Sequence, residues 1–388
     1  GNERVDGMPN RGVSLAVLSG SANISGNVSL SDGNALFVKS GSLGIGGDVN
    51  MACVVYNYGK LYILGNLNVN WNKTKYISDR GGDGNDMRTG YSLKNGQTIG
   101  TVDAYLYIGG TNDLKFYGYV QNFGEIYSNA GMRVRGWCNM PSNAIMCDTA
   151  FINFKNAKAH FGGSVDLNSN AFYNGENSVF DCGGDYTYGI VTINLGSFAA
   201  SGNVEMNKIN VDQSSHNNAS WRNSKSFSFM NGIEKVDGVE FKNATVYVGG
   251  NLKLGSNQTA GVAGSYITMG KTYIGGDLLD YCNRANAYYA TAIWAFNFSN
   301  TFIGGDCFGG AGIATGNNSI FMVGGDYQSR RSTKINIEMF SYSAIDATFY
   351  SFCDDNRSYR NEFNKDPNKY RSAYFYVGGN MLCNTVGA

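Results

Sequence analysis

The chain has 388 residues, with 30 basic and 30 acidic side chains that cancel and only 15% charged residues in all. Such a surface has no electrostatic footprint for nucleic acid or anionic lipid, and no run of 18 apolar residues offers a helical membrane span. Hydrophobic residues at 43%, aromatics at 13% and 53 glycines without a collagen period exclude a disordered or fibrous glycine-rich polymer.

No signal-peptide pattern opens the sequence, so Gly1 is expected to begin a mature chain or a cut fragment. A phrase then starts to recur: strand residues, a Gly-Gly or x-Gly pair, Asp or Asn, and another apolar residue. It first reads Ile24-Ser25-Gly26-Asn27-Val28, then Ile45-Gly46-Gly47-Asp48-Val49 and Ile63-Leu64-Gly65-Asn66-Leu67. Residues 68–105 interrupt it with Trp71, Lys73, Lys75 and the run Gly81-Gly82-Asp83-Gly84-Asn85-Asp86. That run matches the first six positions of a calcium-binding nonapeptide. Arg88 occupies the apolar eighth position and no second copy follows, so no metal is assigned.

The phrase returns at Ile108-Gly109-Gly110, Phe161-Gly162-Gly163-Ser164, Cys182-Gly183-Gly184-Asp185 and Ala200-Ser201-Gly202-Asn203. Val248-Gly249-Gly250-Asn251, Ile274-Gly275-Gly276-Asp277, Ile303-Gly304-Gly305-Asp306 and Val323-Gly324-Gly325-Asp326 follow. Residues 328–374 form a second, aromatic interruption with Phe340, Tyr342, Tyr350, Phe352, Asp354, Asp355 and Tyr359. Val377-Gly378-Gly379-Asn380-Met381 closes the series.

Adjacent copies lie roughly 18 to 29 residues apart, and the wider gaps span two coils or more, which is the signature of a solenoid. With no linker composition anywhere, the expectation is one all-β domain over 1–388. It is a single right-handed parallel β-helix with long loop insertions at about 68–105 and 328–374. Glycine is expected to supply positive φ at each corner, and Asp or Asn to hydrogen-bond there. The variable period argues against the strict hexapeptide left-handed type.

Strand alternation assigns faces. The residue before the doublet points inward: Ile45, Ile63, Ile108, Phe161, Cys182, Val248, Ile274, Ile303, Val323 and Val377. The residue before that points outward, giving Gly44, Tyr62, Tyr107, His160, Asp181, Tyr247, Tyr273, Phe302, Met322 and Tyr376. An outward stripe of aromatics on stacked coils is either a flat platform for sugar rings or a ladder of mutually stacked or covered rings. Trp71 and Trp221, in polar surroundings, join the candidate contacts, while Trp137 and Trp294 read as core. Of eight cysteines, Cys53, Cys182, Cys282, Cys307 and Cys383 fall on inward positions as small apolar residues. Only Cys138 and Cys147 are candidates for a disulfide.

Catalytic patterns are sparse. Of the two histidines, His160 lies on the outward column and His216 in a Ser/Asn loop, and both read as surface residues. Asp354-Asp355 is the one adjacent acidic pair in an aromatic setting, and the Gly-His-Gly and Arg-x-Lys motifs of β-helical galacturonan hydrolases are absent. Asp277, Asp306 and Asp326 stack, and corner geometry accounts for them. No cofactor or metal is expected. Nine Asn-x-Ser/Thr triplets stand near the chance frequency of so Asn-rich a chain.

The x-Gly-Gly-Asp/Asn corners, near-neutral Asn/Gly/Tyr-rich composition and long aromatic insertion resemble the C-terminal domain of tāpirins, surface proteins of plant-biomass-degrading thermophilic bacteria. The resemblance covers the whole chain and implies a right-handed β-helix, outside the cell and surface-attached, with a pilus association, that adheres to cellulose without cleaving it. From the residues themselves the expected function is a non-catalytic adhesin for insoluble polysaccharide. Its contacts would be Trp71, Tyr62, Tyr107, Trp221, Tyr247, Tyr273, Phe302 and Tyr376. A β-helical polysaccharide lyase or hydrolase and a surface filament or scaffold protein are the alternatives.

Overall fold

A computed structural model describes residues 13–30, 35–51, 54–69, 91–97, 103–136, 138–139, 148–168, 170–189, 191–206, 227–232, 243–254, 264–280, 292–295, 299–309, 312–316, 319–337 and 373–387. The fold is all-β, and among these residues there is no helix. Two compact units divide the chain, the first holding 1–139 and 148–185, the second 140–147 and 186–388. Each is a parallel β-solenoid. Its coils carry a corner strand ending at the glycine doublet, a second strand beyond the doublet, and a third strand that returns.

In the first unit the corner strands are Ser21–Ile24, Ser42–Ile45, Lys60–Ile63, Tyr105–Ile108, Glu125–Ser128, Lys158–Phe161 and Val179–Cys182. They pair in parallel and without slip, so Ile24, Ile45, Ile63 and Ile108 lie one above another. In the second unit the series is Ser197–Ala200, Thr245–Val248, Lys271–Ile274, Asn300–Ile303, Ile320–Val323 and Tyr374–Val377, again in register. The inward column expected from alternation is buried in both units. From Ile45 to Val323 none of its residues is more than 3% exposed, Cys182 and Cys307 are buried in that core, and burial pushes the Cys182 thiol up to about 12. Cys383, in the final strand, is half-buried.

Three expectations need correction. The corner glycines do not have positive φ. Among the described residues the glycines that do are Gly20 and Gly41, each just before a corner strand, and Gly96 and Gly232, each just after a third strand. The second glycine of each doublet is required by close approach: a Cβ on Gly47, Gly65, Gly276, Gly305 or Gly325 would overlap the Oδ1 of the Asp or Asn one coil below. Those oxygens accept the next corner's backbone N–H. Asp48 donates to Asn27 at 2.8 Å, Asn66 to Asp48 at 2.7 Å, Asp306 to Asp277 at 2.8 Å and Asp326 to Asp306 at 2.7 Å.

The interruptions are also narrower than expected. Tyr91–Asn95, inside 68–105, is a third strand paired with Val54–Asn57, and Tyr327–Ile337, which runs into 328–374, pairs with both Gly312–Gly316 and Met381–Gly387. Finally, one coil escaped notice because it has no doublet: Glu125–Ser128 continues into Asn129-Ala130-Gly131.

The third strands end in a buried polar ladder. In the first unit Asn57, Asn95, Asn122, Asn153 and Asn174 are fully buried, and each Nδ2 donates to the Oδ1 of the next at 2.7–2.8 Å. The same Nδ2 also donates to the carbonyl that opens the corner strand above: Asn57 to Tyr105, Asn95 to Glu125, Asn122 to Lys158 and Asn153 to Val179. An amide suits this position because one planar group carries both donor and acceptor, so a column of them satisfies itself at strand spacing. The lowest rung, Asn57, stacks on Val38, which has no donor, and its Oδ1 is left without a partner. In the second unit Asn194 donates to Asn231 at 2.9 Å and Asn231 to Thr268 at 3.2 Å, after which Ala295 and Thr315 occupy the column.

Asn122→Ala should lower unfolding stability by about 2–4 kcal/mol, since the Oδ1 of Asn153 and the N–H of Gly124 lose partners inside the core. A chemical-denaturation midpoint unchanged from wild type would contradict the ladder. Tyr188→Phe should act in the opposite sense. The hydroxyl of Tyr188 is fully buried in the second unit without a hydrogen-bond partner, so its removal should raise stability by about 1 kcal/mol in the same assay.

Candidate binding surface

In the second unit the outward positions of the corner strands bring Tyr247, Tyr273, Phe302, Met322 and Tyr376 into one column. Tyr247, Tyr273 and Tyr376 are 53%, 42% and 56% exposed, and Phe302 and Met322 are half-buried. The rings of Tyr273 and Phe302 lie parallel, 5.3 Å apart and 7° from coplanar orientation, so each covers a face of the other and both turn edges to solvent. Tyr247 and Tyr376 stack on no other described ring, which leaves their faces open. Beside the column runs a shallow groove of about 320 Å³. Its floor is the glycine corners Gly275, Gly304 and Gly324, bare because the coil-to-coil fit excludes side chains there, and among the described residues no charged side chain lines it. Met322, slimmer than a ring, separates Phe302 from Tyr376 in the column. The geometry is a ring ladder with open ends, and only part of it resembles a flat platform.

The same positions in the first unit are built differently. Tyr62, Tyr107, Tyr127, His160 and Asp181 follow one another in register. Tyr107 and Tyr127 are stacked at 5.7 Å and 11°, and Tyr62 leans on Tyr105 at 5.5 Å and 43°. Tyr127 and Tyr105 were missed in the sequence, the first for want of a glycine doublet and the second because it stands two residues before the expected outward position. A groove of about 340 Å³ lies among Lys60, Tyr62, Asp103, Tyr105 and Glu125. Burial, and after it the carboxylate of Glu125, raises the pKa of Tyr105.

This face carries ion pairs: Lys158 with Glu125 at 3.8 Å, and His160 Nδ1 with the carboxylate of Asp181. The hydrogen bond to Asp181 raises the pKa of His160 above its ordinary 6.5. Partial burial opposes the rise, the charges of Asp181 and Glu125 add to it, and that of Lys158 subtracts.

Several expected residues lie outside the described residues: Trp71, Trp221, Trp137, His216, Asp354, Asp355, the Gly81–Asp86 run, and Cys53, Cys147 and Cys282. Trp294 falls in the strand Ala292–Ala295, and Cys138 in Cys138–Asn139, which pairs antiparallel with Asp148–Asn153, but neither side chain is described. Among the described residues no three His, Cys, Asp or Glu side chains gather to hold a metal ion.

Because the folded pKa of His160 is raised, its contribution to stability is complete below about pH 6.5 and fades as pH climbs through the folded value. Wild-type thermal stability should therefore drop slightly over that interval, by less than about 1 kcal/mol for a partly exposed pair. His160→Gln should abolish the step, and a variant that kept it would assign the titration elsewhere. No protein-family model, curated protein or solved structure matches the chain.

Proposed function

We propose that this chain is a non-catalytic extracellular adhesin whose second unit binds a neutral, insoluble polysaccharide of the cellulose type. The observation that carries this reading is the exposed, uncharged column from Tyr247 to Tyr376 beside a glycine-floored groove. Five coils separated by four spacings of about 4.8 Å give a track of about 19 Å, long enough for several sugar rings in a row. Sugar C–H faces pack on the open rings of Tyr247 and Tyr376. Along the stacked pair Tyr273 and Phe302, contact is through ring edges and the Tyr273 hydroxyl, which can exchange hydrogen bonds with sugar hydroxyls. A neutral glucan meets no desolvated charge there, so burial is not opposed by the cost of stripping an ion.

The charged face of the first unit favours a second reading, a β-helical polysaccharide lyase or hydrolase, because Lys158, Glu125, His160 and Asp181 lie close together there. Their mutual ion pairing favours a structural role for them over acid–base turnover, and the first reading is preferred.

Purified protein should co-sediment with crystalline cellulose while releasing no soluble sugar. Tyr273→Ala and Tyr376→Ala should each reduce the retained fraction several-fold, the scale of about 1 kcal/mol per aromatic contact, with no change in melting temperature at such exposed positions. Retention unaltered in both variants would sink the groove as the binding surface, and sugar release abolished by His160→Gln would establish the enzyme instead.

A further inference from the structure

In the first unit the corners at Asp48, Asn66, Asn112 and Asp185 each receive a side-chain oxygen from the coil below. In the second unit the oxygens of Asn203, Asn251, Asp277, Asp306 and Asp326 each accept the backbone N–H of the next corner's Asp or Asn, at 2.7–2.9 Å. The series stops at Asn380. Its N–H and Nδ2 donate to Asp326 Oδ1 at 2.7 and 3.2 Å, while its own Oδ1 is exposed and accepts nothing from the described residues.

The first corner of the first unit has the opposite vacancy. Gly26 occupies the place of the second doublet glycine, the place where Gly47 and Gly65 meet the oxygens of Asn27 and Asp48. A Cβ on Gly26 would meet nothing within 4 Å. The N–H of Asn27 makes no bond to a described residue, although its counterpart in Asp48 is bonded at 2.8 Å.

The core positions agree. Ala22 and Ile24 at one end, and Phe375 and Val377 at the other, are half-exposed, where their counterparts Leu43, Ile45, Phe321 and Val323 are no more than 1% exposed. Both edges also carry strands whose outer backbone groups lack a described neighbour, the condition that invites further pairing.

We infer that the last coil of one copy stacks on the first coil of a second copy. Tyr374–Val377 continues as a parallel neighbour of Ser21–Ile24, and Asn380 Oδ1 enters the space over Gly26 to accept the N–H of Asn27. The match is specific in polarity, since a free acceptor meets a free donor, and in shape, since the corner that must admit the oxygen has no side chain. Two different surfaces meet, so every added copy leaves one of each exposed and growth proceeds head to tail. This contact is separated from the polysaccharide groove by Tyr273→Ala, which leaves both ends unchanged, whereas Tyr376 lies on the last corner strand itself.

Sedimentation velocity over a concentration series, with electron microscopy of the concentrated sample, tests it on the full chain. Wild type should show a weight-average mass that at least roughly doubles as the first head-to-tail pair forms, followed by larger assemblies. Gly26→Val should remain monomeric across the same range with an unchanged melting temperature, because the new side chain projects into open space in the monomer and fills the site needed by Asn380. Asn380→Ala, at an exposed position, should weaken assembly without affecting folding. Wild type that stays monomeric at every concentration, or Gly26→Val that assembles as well as wild type, overturns the inference.

Discussion

Each coil lies on the last in parallel and in register, and this single constraint determines what every position can contain. Residues that recur at one point of the coil become direct neighbours at one strand spacing, so a side chain must be compatible with its own kind above and below. Aliphatic residues meet this condition anywhere inside, which produces the column from Ile45 to Val323. Polar residues meet it inside only if they both give and accept. That requirement selects asparagine for the ladder from Asn57 to Asn174, and the one end that rests on a valine keeps an unpaired oxygen. The coil axis is thus held by a hydrophobic column and an amide column, and the second fixes register more sharply, because a slip of one residue would strand each amide in an apolar interior.

Much of the corner geometry was legible because its parts are close in sequence. The doublet, the acidic or amide residue behind it and the strand alternation ahead of it sit within a few residues, so inward and outward columns could be assigned. The asparagine ladder was not legible in the same way. Its rungs are 21 to 38 residues apart and lie among many surface asparagines, so composition masks them. A local trace does exist: Asn57-Tyr58-Gly59, Asn122-Phe123-Gly124, Asn194-Leu195-Gly196 and Thr268-Met269-Gly270 each stand just before a corner strand. Pairing the Asn or Thr with the glycine two residues on would have located these four third strands, whereas Asn95 is followed directly by Gly96, so Tyr91–Asn95 inside the supposed insertion escapes that pattern.

Glycine shows the limit of local reasoning from the other side. Gly-Gly suggests unusual backbone angles when only neighbouring residues are considered. The actual demand comes from a carboxylate or amide oxygen one coil away, a contact that no local propensity contains. The same logic explains Glu125–Ser128, a coil without the doublet: its corner is Asn129-Ala130-Gly131, and Asn129 uses its side-chain amide to donate to the Gly109 carbonyl below instead of receiving an oxygen. Corner chemistry can therefore change while register is kept, provided the backbone groups at the turn find partners.

The outward columns obey the same constraint with solvent as a third partner, and that explains why the two units differ. Aromatic rings tolerate repetition by stacking, as Tyr273 does on Phe302 and Tyr107 on Tyr127. Charged residues tolerate it when sign alternates, and in the first unit Glu125 stands beside Lys158, and Asp181 beside His160. Asp277, Asp306 and Asp326 repeat one sign on three consecutive corners, which simple Coulomb repulsion would disfavour. They persist because the Oδ1 of each accepts a backbone N–H that has no other acceptor, a charge-assisted bond, and because water screens the exposed carboxylates. The acidic row is accordingly a structural consequence of the turn, whereas the aromatic column satisfies no backbone group. Its exposed tyrosines meet no demand of the turn or the core, and the adhesin proposed above would use them as contacts.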